Sequence, residues 1–147
     1  ERGTDDRLTH LLNIPGGGSA CPITESNVGT HLATLAMQGK EVFKHAVNRM
    51  KEAAETVISR ADLQPEDIAC VIPHQANLRI IDAIADRLAV PEGRVFVNLD
   101  KYGNTSAAAV AIALDEANRS GAFKRGDNIV LVVFGAGLTW AAAAVRW

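Results

Sequence analysis

Near its carboxyl end the chain carries the unbroken apolar run Ile129-Val130-Leu131-Val132-Val133-Phe134. A run of this kind, rich in β-branched side chains, predicts a strand that is buried on both faces of a sheet. The turn Gly135-Ala136-Gly137 follows, and a second strand-like segment covers residues 139–145. A tight glycine-containing turn between two strands predicts an antiparallel hairpin.

Upstream of this hairpin, strand and helix patterns alternate. Strands are predicted at 31–37, 68–72 and 95–97, and helices at 41–60, 76–88 and 105–118. Alternation of this kind favours an α/β fold with a mainly parallel sheet, which the final hairpin makes mixed. In the second helix, the predicted inward-facing residues are Leu78, Ile81, Ile84, Ala85 and Leu88. Residues 1–30 are rich in glycine and proline, so an irregular, loop-rich entry segment is expected ahead of a domain over 31–147.

The third helix predicts a further layer of structure. It carries no charged or strongly polar residue from Ala107 to Leu114. A helix that is apolar all round must be covered all round, which a single sheet does not achieve. We therefore expect a second sheet, supplied by another part of the protein, to pack on it. The alternative is that the alanines only raise helix propensity.

Composition excludes several classes of function. The chain has 147 residues, 48% hydrophobic and 22% charged, which is typical of one globular domain. Its net charge of −2 gives no indication of nucleic-acid binding, and no run approaches the roughly 18 apolar residues of a membrane span.

The chain opens at Glu1, with neither a Met nor a signal peptide, so we expect a fragment or processed piece. Cys21 and Cys70 form no disulfide framework and fit a cytoplasmic location.

Two polar residues stand at predicted strand-to-helix junctions. His74 follows the strand 68–72, and Asn104 precedes the helix 105–118. In open α/β sheets, such junctions at the carboxyl ends of strands carry the chemistry. A neutral His and an Asn can donate two hydrogen bonds to a developing oxyanion. The alternatives are that His74 is a structural hydrogen-bonding residue and that Asn104 is a helix cap.

These junctions lie in motifs that resemble the β-ketoacyl-acyl-carrier-protein synthase III family of thiolase-like condensing enzymes. The motifs are His74-Gln75-Ala76-Asn77-Leu78-Arg79-Ile80, Gly103-Asn104-Thr105-Ser106-Ala107-Ala108, Phe134-Gly135-Ala136-Gly137-Leu138-Thr139-Trp140 and Met37-Gln38-Gly39-Lys40-Glu41-Val42-Phe43-Lys44. The resemblance covers residues 31–147, and residues 1–30 match loosely. It implies that this chain is the C-terminal half of a thiolase-like fold. Each half is then a mixed five-stranded sheet with helices, stacked on a second similar half.

The resemblance also implies an activity. Such enzymes start type II fatty-acid synthesis by decarboxylative condensation of acyl-coenzyme A with malonyl-acyl-carrier protein, without a metal or other cofactor. The implied partners are acyl carrier protein, acyl-coenzyme A and the N-terminal half of the same enzyme, in a homodimer. The nucleophilic cysteine belongs to that N-terminal half, and neither Cys21 nor Cys70 matches its motif. The isolated chain is therefore expected to be inactive.

Site residues follow from the same resemblance. His74 and Asn104 match the catalytic His and Asn, and the Ala136 backbone N–H matches a second oxyanion hole. Asn77, Phe134, Met37 and Gly39 are implied as lining the substrate pocket, although Asn77 and Phe134 are also typical junction and core residues. Arg79 and Lys44 are implied as contacts for the acidic carrier protein, with Arg87 a weaker candidate; each also fits a solvated surface.

Three other interpretations remain open at this point. A related condensing enzyme with the same residues makes ketones, quinolones or polyketide starters. A non-catalytic partner subunit has the same fold, although the presence of His74 and Asn104 argues against it. A stand-alone small domain is disfavoured by the apolar helix.

Overall fold

The computed structural model describes residues 1–147, which form a four-stranded mixed sheet with helices on both faces and a separate two-stranded sheet. The strands are β1 (Arg2–Thr4), β2 (Leu12–Asn13), β3 (Ala36–Met37), β4 (Ile68–Pro73), β5 (Asn128–Gly135) and β6 (Thr139–Arg146). The helices are α1 (Gly39–Arg60), α2 (Leu78–Leu88), α3 (Leu99–Tyr102) and α4 (Ala108–Ser120), with short 3-10 turns at Asp6–Leu11, His31–Ala33 and Pro65–Asp67.

The main sheet has the order β1-β6-β5-β4. The predicted hairpin is confirmed, because β5 and β6 pair antiparallel along their whole length. β4 and β5 are parallel, so the mixed sheet is also confirmed, but it has one parallel pair rather than mainly parallel strands. The strand predicted at 95–97 is reduced to a bridge: Val71 N–H donates to Arg94 O at 2.7 Å and Phe96 N–H to Val71 O at 2.9 Å. This segment occupies a fifth position beside β4.

The entry segment departs from the irregular structure predicted for residues 1–30. β1 pairs with β6 at the edge of the main sheet, and β2 pairs with β3 in a small separate sheet. No helix or named strand lies between Asn13 and His31, where the prediction agrees with the structure. Of the segment predicted as a strand at 31–37, only Ala36–Met37 forms one, and His31–Ala33 is a 3-10 turn. Pairing with strands far along the chain orders residues whose local sequence carries no strand pattern.

One face of the sheet is well covered. α1 buries an apolar stripe against it, and α2 packs beside α1. In α2 the buried residues are Ile80, Ile81, Ile84 and Leu88, so the inward position predicted for Leu78 is wrong. Leu78 is the first residue of α2 and is 52% exposed, because Asn77 caps the helix there and the helix starts two residues later than predicted.

The opposite face is incompletely covered. α4 buries Ala109, Ala113 and Ala117 against β4 and β5, while Ala108 and Ala111 stay exposed. The structure therefore leaves apolar surface on the helix for which the sequence predicted a second layer. No helix in the chain combines the length and the apolar character needed to cross a lipid bilayer.

Candidate active site

The functional residues predicted from the sequence converge on one open cleft of about 1700 Å³. Its walls include the carboxyl end of β5 and His74, the residue that follows β4; the ends of the two strands lie at the same edge of the sheet because the strands are parallel. The predicted residues that line it are Met37, Gly39, Lys44, His74, Asn77, Arg79, Asn104, Phe134 and Ala136. Arg87 lies outside this cleft and donates to Asn48 Oδ1 at 2.9 Å.

His74 is placed by the sheet. It follows Pro73, the last residue of β4, and its backbone N–H donates to Val132 O of β5 at 2.8 Å. Its side chain faces the cleft, and burial lowers the pKa of the imidazole below its ordinary value of 6.5. The ring is therefore neutral at pH 7, with one nitrogen available as a donor. Neither ring nitrogen forms a hydrogen bond within the chain, so no backbone group of this chain sets its tautomer.

Asn104 is placed by a tight loop between α3 and α4. Gly103 has φ 66° and ψ −163°, a conformation that is essentially restricted to glycine. Asn104 Oδ1 then accepts from Ser106 N–H at 3.0 Å, and this turn holds Ser106 at φ 55°. Because the oxygen is occupied, the amide nitrogen is the free group. α4 starts at Ala108, later than predicted, so Asn104 closes a turn ahead of the helix rather than capping it.

The turn that carries Ala136 is held from the entry segment. Asp5 and Leu138 exchange two backbone hydrogen bonds of 2.8 and 3.0 Å, and Thr9 Oγ1 donates to Gly137 O at 2.9 Å. Thr139 Oγ1 closes the turn by donating to Ala136 O at 3.0 Å. The Ala136 N–H bonds to no group of this chain, so it is free to donate into the cleft. The entry segment thus supports the site, a role that sequence reasoning missed.

The basic residues at the cleft differ in their charge environment. Lys44 is exposed and pairs with Glu41 at 2.8 Å, one turn earlier in α1. Arg79 is exposed on α2 and has no acidic partner in the chain. Lys40 likewise is exposed, lines the cleft and has no acidic partner, so Arg79 and Lys40 are the cleft cations whose charges are most available to an acidic ligand.

Two pocket residues also have structural roles. Asn77 Oδ1 accepts from Ile80 N–H at 3.0 Å and caps α2. Phe134 is 8% exposed and belongs to the core that packs under α1. Both still line the cleft, so each shapes its wall while stabilising the elements around it.

No cysteine of this chain lines the cleft. Cys70 lies buried within β4, and burial raises the pKa of its thiol to about 11. It is therefore protonated at neutral pH and a poor nucleophile. Cys21 lies in the entry segment, where its N–H donates to Gly18 O at 3.2 Å.

Sequence reasoning did not identify one further residue beside the cleft, Gln75. Gln75 is 1% exposed and follows His74 directly, in the same motif. A buried amide must satisfy its hydrogen-bonding groups, so its partners are structurally informative. The signal in the sequence is a polar residue between two residues that line the cleft, a position where a polar side chain is expected to be exposed to solvent.

Known proteins match this chain along almost its whole length. Residues 58–147 match the family model described as 3-oxoacyl-[acyl-carrier-protein (ACP)] synthase III C terminal. The chain is 52% identical over 145 residues to the β-ketoacyl-[acyl-carrier-protein] synthase III of Caldanaerobacter subterraneus subsp. tengcongensis, covering 99% of this chain and 44% of that protein. The chain therefore spans less than half the length of this relative.

Solved structures give the same result. The β-ketoacyl-[acyl-carrier-protein] synthase III of Thermus thermophilus superposes with a TM-score of 0.87 at 46% identity, over 100% of this chain and 44% of that chain. The priming β-ketosynthase of the R1128 polyketide biosynthetic pathway superposes with a TM-score of 0.81 at 40% identity, over 98% of this chain and 42% of that chain.

Proposed function

Because the chain belongs to the 3-oxoacyl-[acyl-carrier-protein] synthase III family and forms the C-terminal half of such an enzyme, with its thiolase-like fold, we propose that the complete enzyme condenses acyl-coenzyme A with malonyl-acyl-carrier protein to start type II fatty-acid synthesis. The observation that carries this proposal is the pair of free donors, the neutral imidazole of His74 and the amide nitrogen of Asn104, lining one cleft.

In the proposed reaction, both donors act on the malonyl thioester. The bond between the malonyl carboxylate and the α-carbon breaks, carbon dioxide leaves, and the electron pair moves into an enolate whose oxygen becomes negative. Hydrogen bonds from His74 and Asn104 stabilise that oxygen more than the ground-state carbonyl, which lowers the barrier. His74 is neutral in this step, and a neutral ring donates one hydrogen bond while adding no charge to the cleft.

The enolate carbon then attacks an acyl group held as a thioester on a cysteine of the N-terminal half. The new carbon–carbon bond forms, the carbonyl oxygen becomes an oxyanion near the Ala136 N–H, and collapse of this intermediate expels the cysteine thiolate. A free backbone donor in a tight turn is suited to this second oxyanion. The electron pair released in decarboxylation is used in the new bond, so the proposed chemistry needs no metal or redox cofactor.

We propose that Arg79, and more weakly Lys44, contact the acyl carrier protein at the mouth of this cleft. Arg79 is exposed, lines the cleft and lacks an ion pair, whereas Glu41 already neutralises Lys44. We also propose a cytoplasmic location, which the free thiols of Cys21 and Cys70 support, and a homodimer, which the resemblance to the family implies.

The function is tested in the full-length enzyme with two variants of one residue. Asn104→Asp keeps the oxygen that accepts from Ser106 N–H but loses the donor, whereas Asn104→Ala loses both. Removing one oxyanion donor costs about 10²–10³-fold in kcat, so both variants are expected to fall by this much in release of labelled carbon dioxide from malonyl-acyl-carrier protein. Unchanged decarboxylation in Asn104→Asp would rule out the donor role.

The isolated chain is expected to catalyse no condensation. Cys70 is buried and protonated, and Cys21 lies outside the cleft. Adding purified residues 1–147 to acetyl-coenzyme A and malonyl-acyl-carrier protein should yield no 3-oxoacyl product, while the full-length enzyme does. Product formation by the isolated chain would contradict the assignment of the nucleophile to the other half.

A second candidate is a priming condensing enzyme for polyketides. The observation that supports it is the structural similarity to the R1128 priming β-ketosynthase, which is 40% identical to this chain. The Thermus thermophilus enzyme is 46% identical. Both candidates use the same donors and differ in the acyl group accepted. A panel of acetyl, branched and longer acyl-coenzyme A substrates on the full-length enzyme separates them, because only a strong preference for a longer or unusual primer supports the second.

A further inference from the structure

Gln75 joins the backbones on which the two donor loops are built. Its amide nitrogen donates to Pro73 O at 2.9 Å and to Phe96 O at 3.2 Å. Its amide oxygen accepts from Asn98 N–H at 3.0 Å. The side chain therefore ties the end of β4, just before His74, to the segment that enters α3. No buried side-chain nitrogen or oxygen in the chain lacks a partner, so this amide is fully used.

Asn98 extends this connection to α4. It is 2% exposed, and its amide nitrogen donates to Glu116 Oε2 at 2.8 Å. Lys101 pairs with the other oxygen of the same carboxylate. Glu116 thus contacts residues at both ends of α3, which leads through Gly103 into Asn104.

Apolar packing holds α3 in place only weakly, because none of its four residues is buried and only Leu99 is half-buried. An exposed single turn of helix has little intrinsic stability, so its position depends on contacts at its ends. The side-chain hydrogen bonds that join α3 and the residue before it to α4 are those of Lys101 and Asn98 with Glu116.

We propose that Gln75 and Glu116 are positioning residues that set the place of Asn104 relative to His74. The proposal rests on the proposed function of the donor pair. Gln75 fixes the spacing of the two backbones, and Glu116 fixes the short helix that presents the amide. A misplacement of about 1 Å in a reacting group can cost about 10²-fold in rate, so support of this kind is needed for two donors to meet one oxygen.

The test is a double-mutant cycle in the full-length enzyme, read as kcat for release of labelled carbon dioxide from malonyl-acyl-carrier protein. Glu116→Ala is expected to lower kcat about tenfold or more when Asn104 is present. In the Asn104→Ala background, the same change is expected to alter kcat by less than about twofold, because the group being positioned is already gone. Glu116→Gln, which still accepts from Asn98, should recover part of the loss.

Asp115→Ala is the matched control. Asp115 neighbours Glu116 on α4 but pairs with Arg119 at 2.9 Å, so its loss should leave kcat unchanged. Gln75→Met is run through the same cycle with the same expected result, and the Glu116 variants alone decide the test if Gln75→Met does not fold.

Equal losses from Glu116→Ala in both backgrounds, or no loss in either, would overturn the positioning role while leaving the function of the donor pair intact. A normal rate in Asn104→Ala itself would instead overturn the proposed function, and the positioning proposal with it.

Discussion

His74 follows a strand whose residues are almost all buried, whereas Asn104 follows a short helix that buries none. The first donor is placed by the sheet ladder and the hydrophobic core. The second is placed by a glycine with positive φ, a turn closed by its own oxygen, and the polar contacts of Glu116. If the proposed function holds, stability and catalysis depend on separable contacts: the His74 loop depends on the hydrophobic core, and the Asn104 loop depends on local turn geometry and polar contacts.

The largest effect should come from the core beneath His74. Ile72 is fully buried in β4, two residues before His74, and packs against α4. Ile72→Ala is expected to lower the free energy of unfolding by about 2–5 kcal/mol, because it removes buried methyl groups and leaves a cavity. Urea unfolding of the full-length enzyme measures this. A loss below about 1 kcal/mol would mean that the core does not place the His74 loop.

Gly103→Ala tests the other loop. A side chain at this φ and ψ costs about 1–3 kcal/mol, so the loop should relax and displace Asn104. There is open space around the position, so no clash adds to the cost. We expect kcat for malonyl decarboxylation to fall about 10²-fold, with a much smaller change in unfolding midpoint than for Ile72→Ala. Comparable destabilisation in the two variants would remove the distinction between the loops.

The pH dependence should report the burial of His74. Burial holds its pKa in the folded enzyme below 6.5, and the unfolded value is close to 6.5. The neutral ring, and the stability that accompanies it, are therefore present above pH 6.5 and lost as the pH falls through the folded pKa. We expect kcat for decarboxylation to be level down to pH 6.5 and to decline below it.

His74→Asn supplies the control for this profile. An amide donates at every pH in this range. The kcat of the His74→Asn variant, although lower, should therefore not decline at the pH where the imidazole of His74 titrates in the unmodified enzyme. A midpoint above pH 6.5 in the unmodified enzyme would contradict the stated effect of burial.

The smallest effect should come from the exposed cations. Arg79→Glu is expected to raise KM for malonyl-acyl-carrier protein several-fold while sparing malonyl-coenzyme A, because rim charges act mainly on encounter with a charged partner. Arg125→Glu is the matched control, because Arg125 is also exposed and without an acidic partner but lies outside the cleft, and it should leave both values near those of the unmodified enzyme. Equal losses with both substrates would argue against a carrier-protein contact at Arg79.

Local pattern explains which predictions were correct. The helix predicted at 41–60 and the hairpin of β5 and β6 depend on interactions between neighbouring residues, and both are confirmed. β1 was missed because its pairing partner lies near residue 140, so nothing in its own three residues indicates a strand. Leu78 was assigned inward because its spacing fits the stripe, but the helix cap at Asn77 places it on the exposed first turn.

The sequence by itself determined the residue types of the site and the elements that flank them. His74, Asn104 and Ala136 each stand at the end of a recognisable pattern, and patterns of this kind arise from interactions within a few residues. Tertiary structure alone decided that these residues share one cleft, that the entry segment holds the Ala136 turn, and that Gln75 and Glu116 link the donor loops. Those contacts join residues about 20 to more than 130 positions apart. Their geometry depends on how the whole chain packs, which no local pattern encodes.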